Sequence, residues 1–291
     1  MTQFKIPNVM ATSSASYFQR YAPTAKLATL VQCYWYMVRK EDHVGNDDEY
    51  MHPEGGSGII FNLANPIMIG DFLLKQGCSI IGPNRKSVHF NGLGSVEAFG
   101  IRFHPGAGHQ FFGLPLTEIE SVTILPEDIL LARLCDQLMN ELMMSSSVEQ
   151  WIAAIEYHLF SHLITMQKQN KLLSGQIDNR LAFAINWIDA NNGLKPISVL
   201  NDALCLGQRQ LDRLFKQHLG LAPKQYSRLR QNQYARHLLK TQLFDVSLTD
   251  IGYLAGFYDQ AHFNHQFRDI LGISPGQYRN KIIAKSRISR A

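Results

Sequence analysis

The chain contains one structural unit twice, and this repeat restricts its possible folds more than any other feature. Residues 211–226 (LDRLFKQHLGLAPKQY) align with residues 263–278 (FNHQFRDILGISPGQY) at an offset of 52 positions. The matched positions include glycine and proline, which constrain the backbone more than other residues do. The identical pairs are Ala203 and Ala255, Gln208 and Gln260, Phe215 and Phe267, Leu219 and Leu271, Gly220 and Gly272, Pro223 and Pro275, Gln225 and Gln277, and Tyr226 and Tyr278. A fixed period of this length indicates one supersecondary unit used twice.

Each copy is predicted to form a helix, a short turn and a second helix. In the later copy, residues 247–255 supply the first helix, with Ser247 or Thr249 as its N-cap. Residues 256–259 (GFYD) form the turn, in which the glycine supplies the left-handed conformation that ends a helix. Asp259 can then cap the second helix.

The earlier copy repeats this plan. Residues 197–205 form its first helix, a turn follows near Leu206 and Gly207, and residues 208–219 form its second helix. Two helices joined by so short a turn are the helix-turn-helix arrangement.

The second helix of each copy has a polar face opposite its apolar face. At ~100° per residue, Leu211, Leu214 and Phe215 share one side of the first such helix, and Phe263 and Phe267 share one side of the other. Long hydrogen-bond donors on the opposite side suit phosphate and major-groove contacts, although a solvated helix face is the alternative. The predicted DNA-binding residues are Gln208, Arg209, Asp212, Arg213 and Lys216 in the first unit, and Gln260, Ala261, Asn264, His265 and Arg268 in the second.

The two halves of the chain differ in charge. Residues 1–170 carry 11 Lys and Arg against 16 Asp and Glu, whereas residues 171–291 carry 17 against 8. A basic half joined to an acidic half indicates a polyanionic partner for the basic half alone.

Residues 180–279 resemble the DNA-binding domain of the AraC/XylS family of bacterial transcription regulators, and residues 250–279 are similar to that family's long signature almost from end to end. The resemblance implies seven helices, with the two helix-turn-helix units joined by a long helix at about Pro223–Lys240. It also implies two recognition helices in successive major grooves, ~34 Å apart. The implied partners are double-stranded DNA at promoter operator sites and RNA polymerase.

The second unit departs from the family pattern at two positions. His265 stands where the family commonly has Arg, and Ala261 is short. The first unit, through Arg209 and Arg213, is therefore expected to supply most of the base discrimination, and the second unit to act mainly as an anchor.

The N-terminal part predicts a different fold. Runs rich in β-branched and aromatic residues at 30–38, 58–64 and 96–103 indicate strands, and apolar spacing indicates helices at 125–144 and 147–167. The fold class is therefore α+β, with a small cupin-like β-barrel and helices before an all-α C-terminal domain. The predicted domains are residues 1–167 and 180–291, joined by a polar linker at 168–179.

The N-terminal part is expected to hold a small-molecule effector, to dimerise, or both, because this is common in the family. Its segments 21–36, 52–63 and 100–119 resemble one subgroup of these regulators with no assigned effector. A core role is the alternative for the candidate effector residues, which are Trp35, Tyr36, Arg102, His104 and Phe111. The alternative function is a sensor of a protein partner, or a cupin-type enzyme that binds a metal or ligand.

No pattern in the sequence predicts catalysis, a cofactor or a metal site. His52 with Glu54, and His89, His104 and His109, lack the clustered spacing of cupin metal ligands, and His158 and His162 favour packing or an interface. The sequence therefore predicts no enzyme.

Cellular location is predicted from what the chain lacks. The four cysteines form no CxxC pair, and no signal-like or membrane-spanning apolar run occurs. These features predict a cytoplasmic protein.

The helices at 126–144 and 147–167 are predicted to form either a dimer surface or a layer packed on the barrel.

Overall fold

A computed structural model describes residues 16–40, 49–119, 123–124, 129–144, 147–168, 179–242 and 246–288. Strands occupy the N-terminal part and helices alone occupy residues 179–288, which confirms the α+β class. Most of the predicted linker, residues 169–178, lies outside the described residues, as does the predicted helix start at 125–128.

In the described residues of the N-terminal part, ten strands form two antiparallel sheets. They are β1 (Ser16–Tyr21), β2 (Val31–Arg39), β3 (Glu49–Met51), β4 (Gly58–Asn62), β5 (Ile67–Ile69), β6 (Phe72–Leu74), β7 (Gly77–Ile81), β8 (Val88–Gly92), β9 (Val96–Phe103) and β10 (Thr123–Ile124). The six-stranded sheet has the order β1-β2-β9-β4-β7-β10, and the four-stranded sheet has the order β3-β8-β5-β6. The predicted runs at 30–38, 58–64 and 96–103 correspond to β2, β4 and β9, which are neighbours in the larger sheet.

The two sheets enclose a small apolar core between them, as in a cupin-like barrel. Ile60 of β4, Ile67 of β5 and Phe90 of β8 are buried together in this core. Among the described strands, hydrogen bonds join each sheet internally but do not link the two into one closed cylinder.

Three helices cover the outer face of the six-stranded sheet. They are α1 (Ala107–Phe112), α2 (Ile129–Met144) and α3 (Val148–Lys168), and a 3-10 turn at Leu116–Glu118 follows α1. Leu138 of α2 and Ile155 of α3 are fully buried against Phe99 and Tyr34 of the sheet. The predicted packed helical layer is therefore present, while Met143 and Met144 at the end of α2 are 62% and 89% exposed.

The part of the C-terminal region that the structure describes contains seven helices, the number that the family resemblance implies. They are α4 (Asn179–Ala190), α5 (Ile197–Leu204), α6 (Gln208–Leu219), α7 (Pro223–Thr241), α8 (Leu248–Leu254), α9 (Gln260–Leu271) and α10 (Pro275–Ile288). Helices α6 and α9 have equal length and begin and end at the same repeat positions. Their apolar faces share one core, in which Phe215 and Phe267 have no exposed surface. Within the described residues, no helix is long and apolar enough to cross a lipid bilayer.

The two helix-turn-helix units begin their helices differently. The Ser247 hydroxyl accepts a hydrogen bond from Asp250 N, and Asp259 accepts one from His262 N at 2.7 Å, so the caps predicted for the second unit are present. In the first unit, Gly207 is the N-cap of α6 and offers no side-chain acceptor. The left-handed residue of that turn is Cys205, with a φ of 50°.

Candidate nucleic-acid interface

The first recognition helix, α6, presents a basic face to solvent. Arg209, Arg213 and Lys216 are exposed, and Asp212 is half-buried. Gln208 donates to Asp212 Oδ1 at 2.9 Å, so two predicted DNA-binding side chains hold each other in place along the helix.

A groove of about 580 Å³ runs along this basic face. Its lining residues are Arg209, Asp212, Arg213, Lys216 and Gln217 of α6, with Pro115 and Thr117 of the N-terminal domain. The N-terminal domain therefore forms one wall of the space beside the first recognition helix.

The second recognition helix, α9, presents a less basic face. Gln260, Ala261, His265 and Arg268 are exposed, and Asn264 is half-buried. All ten predicted DNA-binding residues thus lie on the outer sides of α6 and α9, and buried apolar residues of the same helices, such as Phe263 at 0% exposure, belong to the core. Arg209 and Arg213 of α6 have Ala261 and His265 as their repeat counterparts on α9.

The long helix α7 holds the second unit through Gln231. Its amide nitrogen donates to the carbonyl oxygens of Ala255 and Gly256 at 3.0 and 3.1 Å, and its amide oxygen accepts from Gln266 at 3.1 Å. One side chain therefore holds both the turn and the recognition helix of the second unit. The sequence gives no local pattern that would have singled out this glutamine.

At the other end of α7, an ion pair and a buried tyrosine bind it to α4. The Tyr226 hydroxyl donates to Asp189 at 2.8 Å, and Arg230 Nε lies 2.8 Å from the same carboxylate. Burial raises the pKa of Asp189, and the nearby Arg230 opposes that rise. These contacts fix α7 on α4, the helix that precedes the first unit, while α7 also contacts both recognition helices, α6 and α9.

The five candidate effector residues do not come together in one pocket. Trp35 and Tyr36 are consecutive in β2 and therefore point to opposite faces of the sheet. Trp35 covers Gly100 of β9, where an added Cβ atom would lie 2.0 Å from Trp35 Cε2. Tyr36 donates to Glu97 at 2.8 Å and contacts Trp151 of α3.

The other three candidates each have an environment of their own. Phe111 is 1% exposed and lies in the helix-covered core, where its ring contacts Phe103 and His162. Arg102 pairs with Glu54 at 3.4 Å, and burial lowers the pKa of His104. Burial alone would raise the pKa of Glu54, but Arg102 and the neighbouring arginines hold it below its usual range.

The histidines considered as metal ligands have other contacts. His158 Nε2 lies 3.2 Å from Glu141, and the buried His162 lies 3.3 Å from the carbonyl oxygen of Phe111. His109 packs its ring 4.1 Å from that of His218 in α6. No group of three or more His, Cys, Asp or Glu side chains within the described residues is arranged to hold a metal ion.

Two of the four cysteines meet in the core, which their sequence spacing does not reveal. The sulfur atoms of Cys78 in β7 and Cys135 in α2 are 2.8 Å apart, and both thiols are buried. The hydrogen bond between the two thiols and their burial raise the pKa of Cys78.

Comparison with known proteins gives a match in each part of the chain. A helix-turn-helix domain family matches residues 200–281, and a domain of unknown function (DUF6597) matches residues 19–124. The transcriptional activator RhaS of Escherichia fergusonii is 36% identical over 125 residues, which are 42% of this chain and 44% of that protein. The chain thus spans less than half the length of this relative.

Two solved structures are also similar. ToxT from Vibrio cholerae has a TM-score of 0.46 and 11% identity, with 91% of this chain and 98% of that chain covered. A transcriptional regulator with an AraC-type DNA-binding domain from Chromobacterium violaceum has a TM-score of 0.33 and 30% identity, with 36% of this chain and 92% of that chain covered.

The repeated fold of α5–α6 and α8–α9 and the family match at 200–281 define a helix-turn-helix DNA-binding domain. Within that class, the C-terminal part is similar to the corresponding part of a transcriptional activator, in agreement with its resemblance to the AraC/XylS family.

Proposed function

We propose that the chain is a sequence-specific DNA-binding transcription regulator that reads two adjacent segments of the major groove. The observation that carries this proposal is the occurrence of one helix-turn-helix unit twice, with the predicted contact residues on the outer side of both α6 and α9. Two such helices fit successive grooves on one side of a duplex when their separation equals one helical turn of DNA.

The two units divide the work unequally. Arg209 and Arg213 supply guanidinium groups, which can donate two hydrogen bonds to one guanine. Their counterparts Ala261 and His265 offer a methyl group and a single ring. The first unit therefore supplies most of the base discrimination, while Arg268 and the polar residues of α9 anchor the second unit on the backbone.

Electrostatic attraction supplies much of the affinity. The C-terminal part, residues 171–291, has 17 basic against 8 acidic residues, and lysine or arginine contacts to phosphate release counterions. The logarithm of the binding constant is therefore expected to fall linearly with the logarithm of salt concentration, by ~0.9 per phosphate contact.

The decisive experiment selects DNA from a random pool with the purified full chain at a fixed, stated salt concentration. The expected result is a motif of two short half-sites about 10 base pairs apart. The double variant Arg209→Ala/Arg213→Ala should lose the stronger half-site. Arg133→Ala, an exposed arginine in α2 of the N-terminal domain, is the matched control and should recover the wild-type motif. Salt-sensitive binding without any recovered motif would contradict sequence-specific reading.

Regulation enters through the N-terminal domain. The support for this part is that α1 and the 3-10 turn contact α6 directly, so a change in this domain reaches the first recognition helix. A small-molecule effector, dimerisation and contact with RNA polymerase are proposed by analogy with the family. Sedimentation of the full chain with and without operator DNA would test the dimer, and a purely monomeric complex would contradict it.

A further inference from the structure

Two segments of the N-terminal domain each contact both copies of the 52-residue repeat. The segments are residues 52–55, between β3 and β4, and residues 83–87, between β7 and β8; together they are called the brace. The positions that they contact in the two units are equivalent or nearly equivalent in the 52-residue repeat. The brace therefore contacts corresponding positions in the two copies of the repeat.

Residues 83–87 lie against the C-terminal ends of both recognition helices. At the end of α6, Pro83 packs on Gly220, where an added Cβ atom would lie 2.7 Å from Pro83 Cγ. At the end of α9, the Ser87 amide donates to the carbonyl oxygen of Ile270 at 2.7 Å, and Lys86 pairs with Asp269. One short loop thus contacts both helices within five residues.

Residues 52–55 contact the residues that follow both recognition helices. Gly55 packs on Tyr226 so closely that an added Cβ atom would lie 2.6 Å from the tyrosine ring. The ring of His52 lies 6.3 Å from that of Tyr278, which is the repeat counterpart of Tyr226. His52 also lies 2.8 Å from the Ser87 hydroxyl, so the two segments of the brace are joined.

The brace is supported by strands on both sides. The strand before residues 83–87, β7, pairs with β4 and β10, whereas the strand after them, β8, pairs with β3 and β5. A loop whose two ends are fixed in different sheets has little freedom to follow independent motion of α6 and α9.

The recognition helices therefore have two connections. Helix α7 joins the units inside the DNA-binding domain, and the brace joins the C-terminal ends of α6 and α9 from outside it. A shift of one base pair rotates a half-site by about 35° around the duplex axis. The separation and angle of the two helices thus decide which half-site spacing fits.

We infer that the brace sets the spacing of the two half-sites, and that residues 83–87 are positioning residues for DNA recognition. This inference rests on the proposed function and goes beyond it, because it assigns part of the sequence specificity to the N-terminal domain. The brace acts by fixing the relative placement of α6 and α9, and none of its residues is required to contact a base.

The repeat supplies a matched pair of variants. Gly220 and Gly272 both end a recognition helix in the left-handed conformation, with φ of 67° and 78°, so alanine introduces similar backbone strain at either position. At Gly220 the added methyl group also meets Pro83 of the brace and, at 3.0 Å, the carbonyl oxygen of Leu116 in the 3-10 turn, whereas no described atom lies within 4 Å of a Cβ at Gly272. Gly220→Ala therefore displaces the brace together with the 3-10 turn, Gly272→Ala is the control for backbone strain, and substitutions at Lys86 act on the brace alone.

The experiment measures binding of the full chain to duplexes that carry the selected half-sites at the preferred spacing and at spacings one base pair shorter or longer. Wild type and Gly272→Ala should prefer the selected spacing by about tenfold, and Gly220→Ala should reduce that preference to about threefold or less. Lys86→Asp, which places like charges opposite each other at Asp269, should shift the preference in the same direction. Lys86→Asp/Asp269→Lys should restore it. This charge series decides the question if Gly220→Ala does not fold.

The outcomes separate the two proposals. Failure of the wild type to recover a paired motif contradicts the proposed function. A paired motif with a sharp spacing preference that is unchanged in both Gly220→Ala and Lys86→Asp overturns the inference alone. Tighter binding of Gly220→Ala at every spacing also overturns it, since the brace would then restrict access to DNA without selecting a spacing.

Discussion

The two helix-turn-helix units are alike inside and different outside. Helices α6 and α9 have the same bounds in the repeat, and Phe215 and Phe267 occupy the same fully buried position. On the outer faces, Arg213 of the first unit has His265 as its counterpart in the second. The comparison shows that the repeat preserves several buried residues, while the predicted DNA-binding residues, apart from the identical pair Gln208 and Gln260, differ between the copies.

The units also differ in what stabilises them. The first unit has a glycine N-cap on α6, and that helix packs against α1 and the 3-10 turn of the N-terminal domain. The second unit has side-chain caps at Ser247 and Asp259. Helix α6 thus lacks the side-chain N-cap that α9 has but packs on α1 and the 3-10 turn, whereas the N-terminal domain contacts α9 through the brace.

The largest expected loss of stability comes from removing the phenylalanine that occupies the same core position in each unit. Phe215→Ala and Phe267→Ala should each lower the free energy of unfolding by ~3–5 kcal/mol, because each leaves a cavity in a closely packed core. Urea unfolding of the full chain measures both, and Val199→Ala, at a 47% exposed position in α5, should change stability by less than ~0.5 kcal/mol. A loss of unfolding free energy below ~1 kcal/mol for only one of the two phenylalanine variants would show that the two positions are not equivalent in the core.

The sequence predicts the C-terminal part well because its signals are local. Glycine, proline and capping residues mark the ends of helices, and the repeat doubles each signal. The predicted second helix at 208–219 matches α6, and α9 begins directly after Asp259, its predicted cap. Ser247 and Asp259 are the N-caps that the sequence proposes.

Features that depend on distant contacts are not predictable in this way. The short strands β5 and β6 exist through pairing with partners in a sheet, and no residue pattern within them is strong enough to indicate it. Gly220 and Gly272 look equivalent in the sequence, yet Pro83 packs against Gly220, 137 positions away. For two candidate effector residues the sequence is sufficient: Trp35 and Tyr36 are adjacent in a predicted strand, so their side chains point to opposite faces of the sheet.

The outer faces of α6 and α9 are expected to contribute unequally to DNA binding. Arg213→Ala should weaken binding to the selected DNA by ~1–3 kcal/mol and relax base preference at one position of the stronger half-site. His265→Ala should weaken binding less and leave base preference nearly unchanged. Both are measured by competition binding at one salt concentration, with Arg133→Ala as the control. A larger change in base preference for His265→Ala than for Arg213→Ala would reverse the proposed division between the units.

The third prediction tests support of the second unit by the N-terminal domain. Burial, with the charges of Arg236 and Lys240, lowers the pKa of His52 to about 3. Below pH ~6.5 the unfolded chain gains a proton at His52 that the folded chain does not, so stability is complete above that pH and falls on acidification toward pH ~3.

This contribution has a slope of up to ~1.4 kcal/mol per pH unit. His52→Asn, which keeps a polar group near Ser87, should reduce the loss of unfolding free energy between pH 7 and pH 5 in urea titrations. Part of the loss should persist, because burial also lowers the pKa of His104 and His109. An identical pH dependence of the unfolding free energy in wild type and variant would show that His52 does not make the stability of the protein depend on pH.

The smallest expected effect tests the two sources of helix support directly. Asp259→Ala removes the acceptor for His262 N and should cost ~1 kcal/mol of unfolding free energy, because one amide at the start of α9 loses its partner. Gly207→Asp supplies the missing acceptor at the start of α6, where the φ of −66° suits any residue, and should add a few tenths of a kcal/mol. Both are read by urea unfolding of the free protein, since a new carboxylate close to the predicted DNA-binding face opposes binding for a separate reason. Gly207→Asp could instead stabilise the chain as much as Asp259→Ala destabilises it. In that case a side-chain N-cap would matter equally at α6 and α9, and packing of the N-terminal domain on α6 would not compensate for the missing cap.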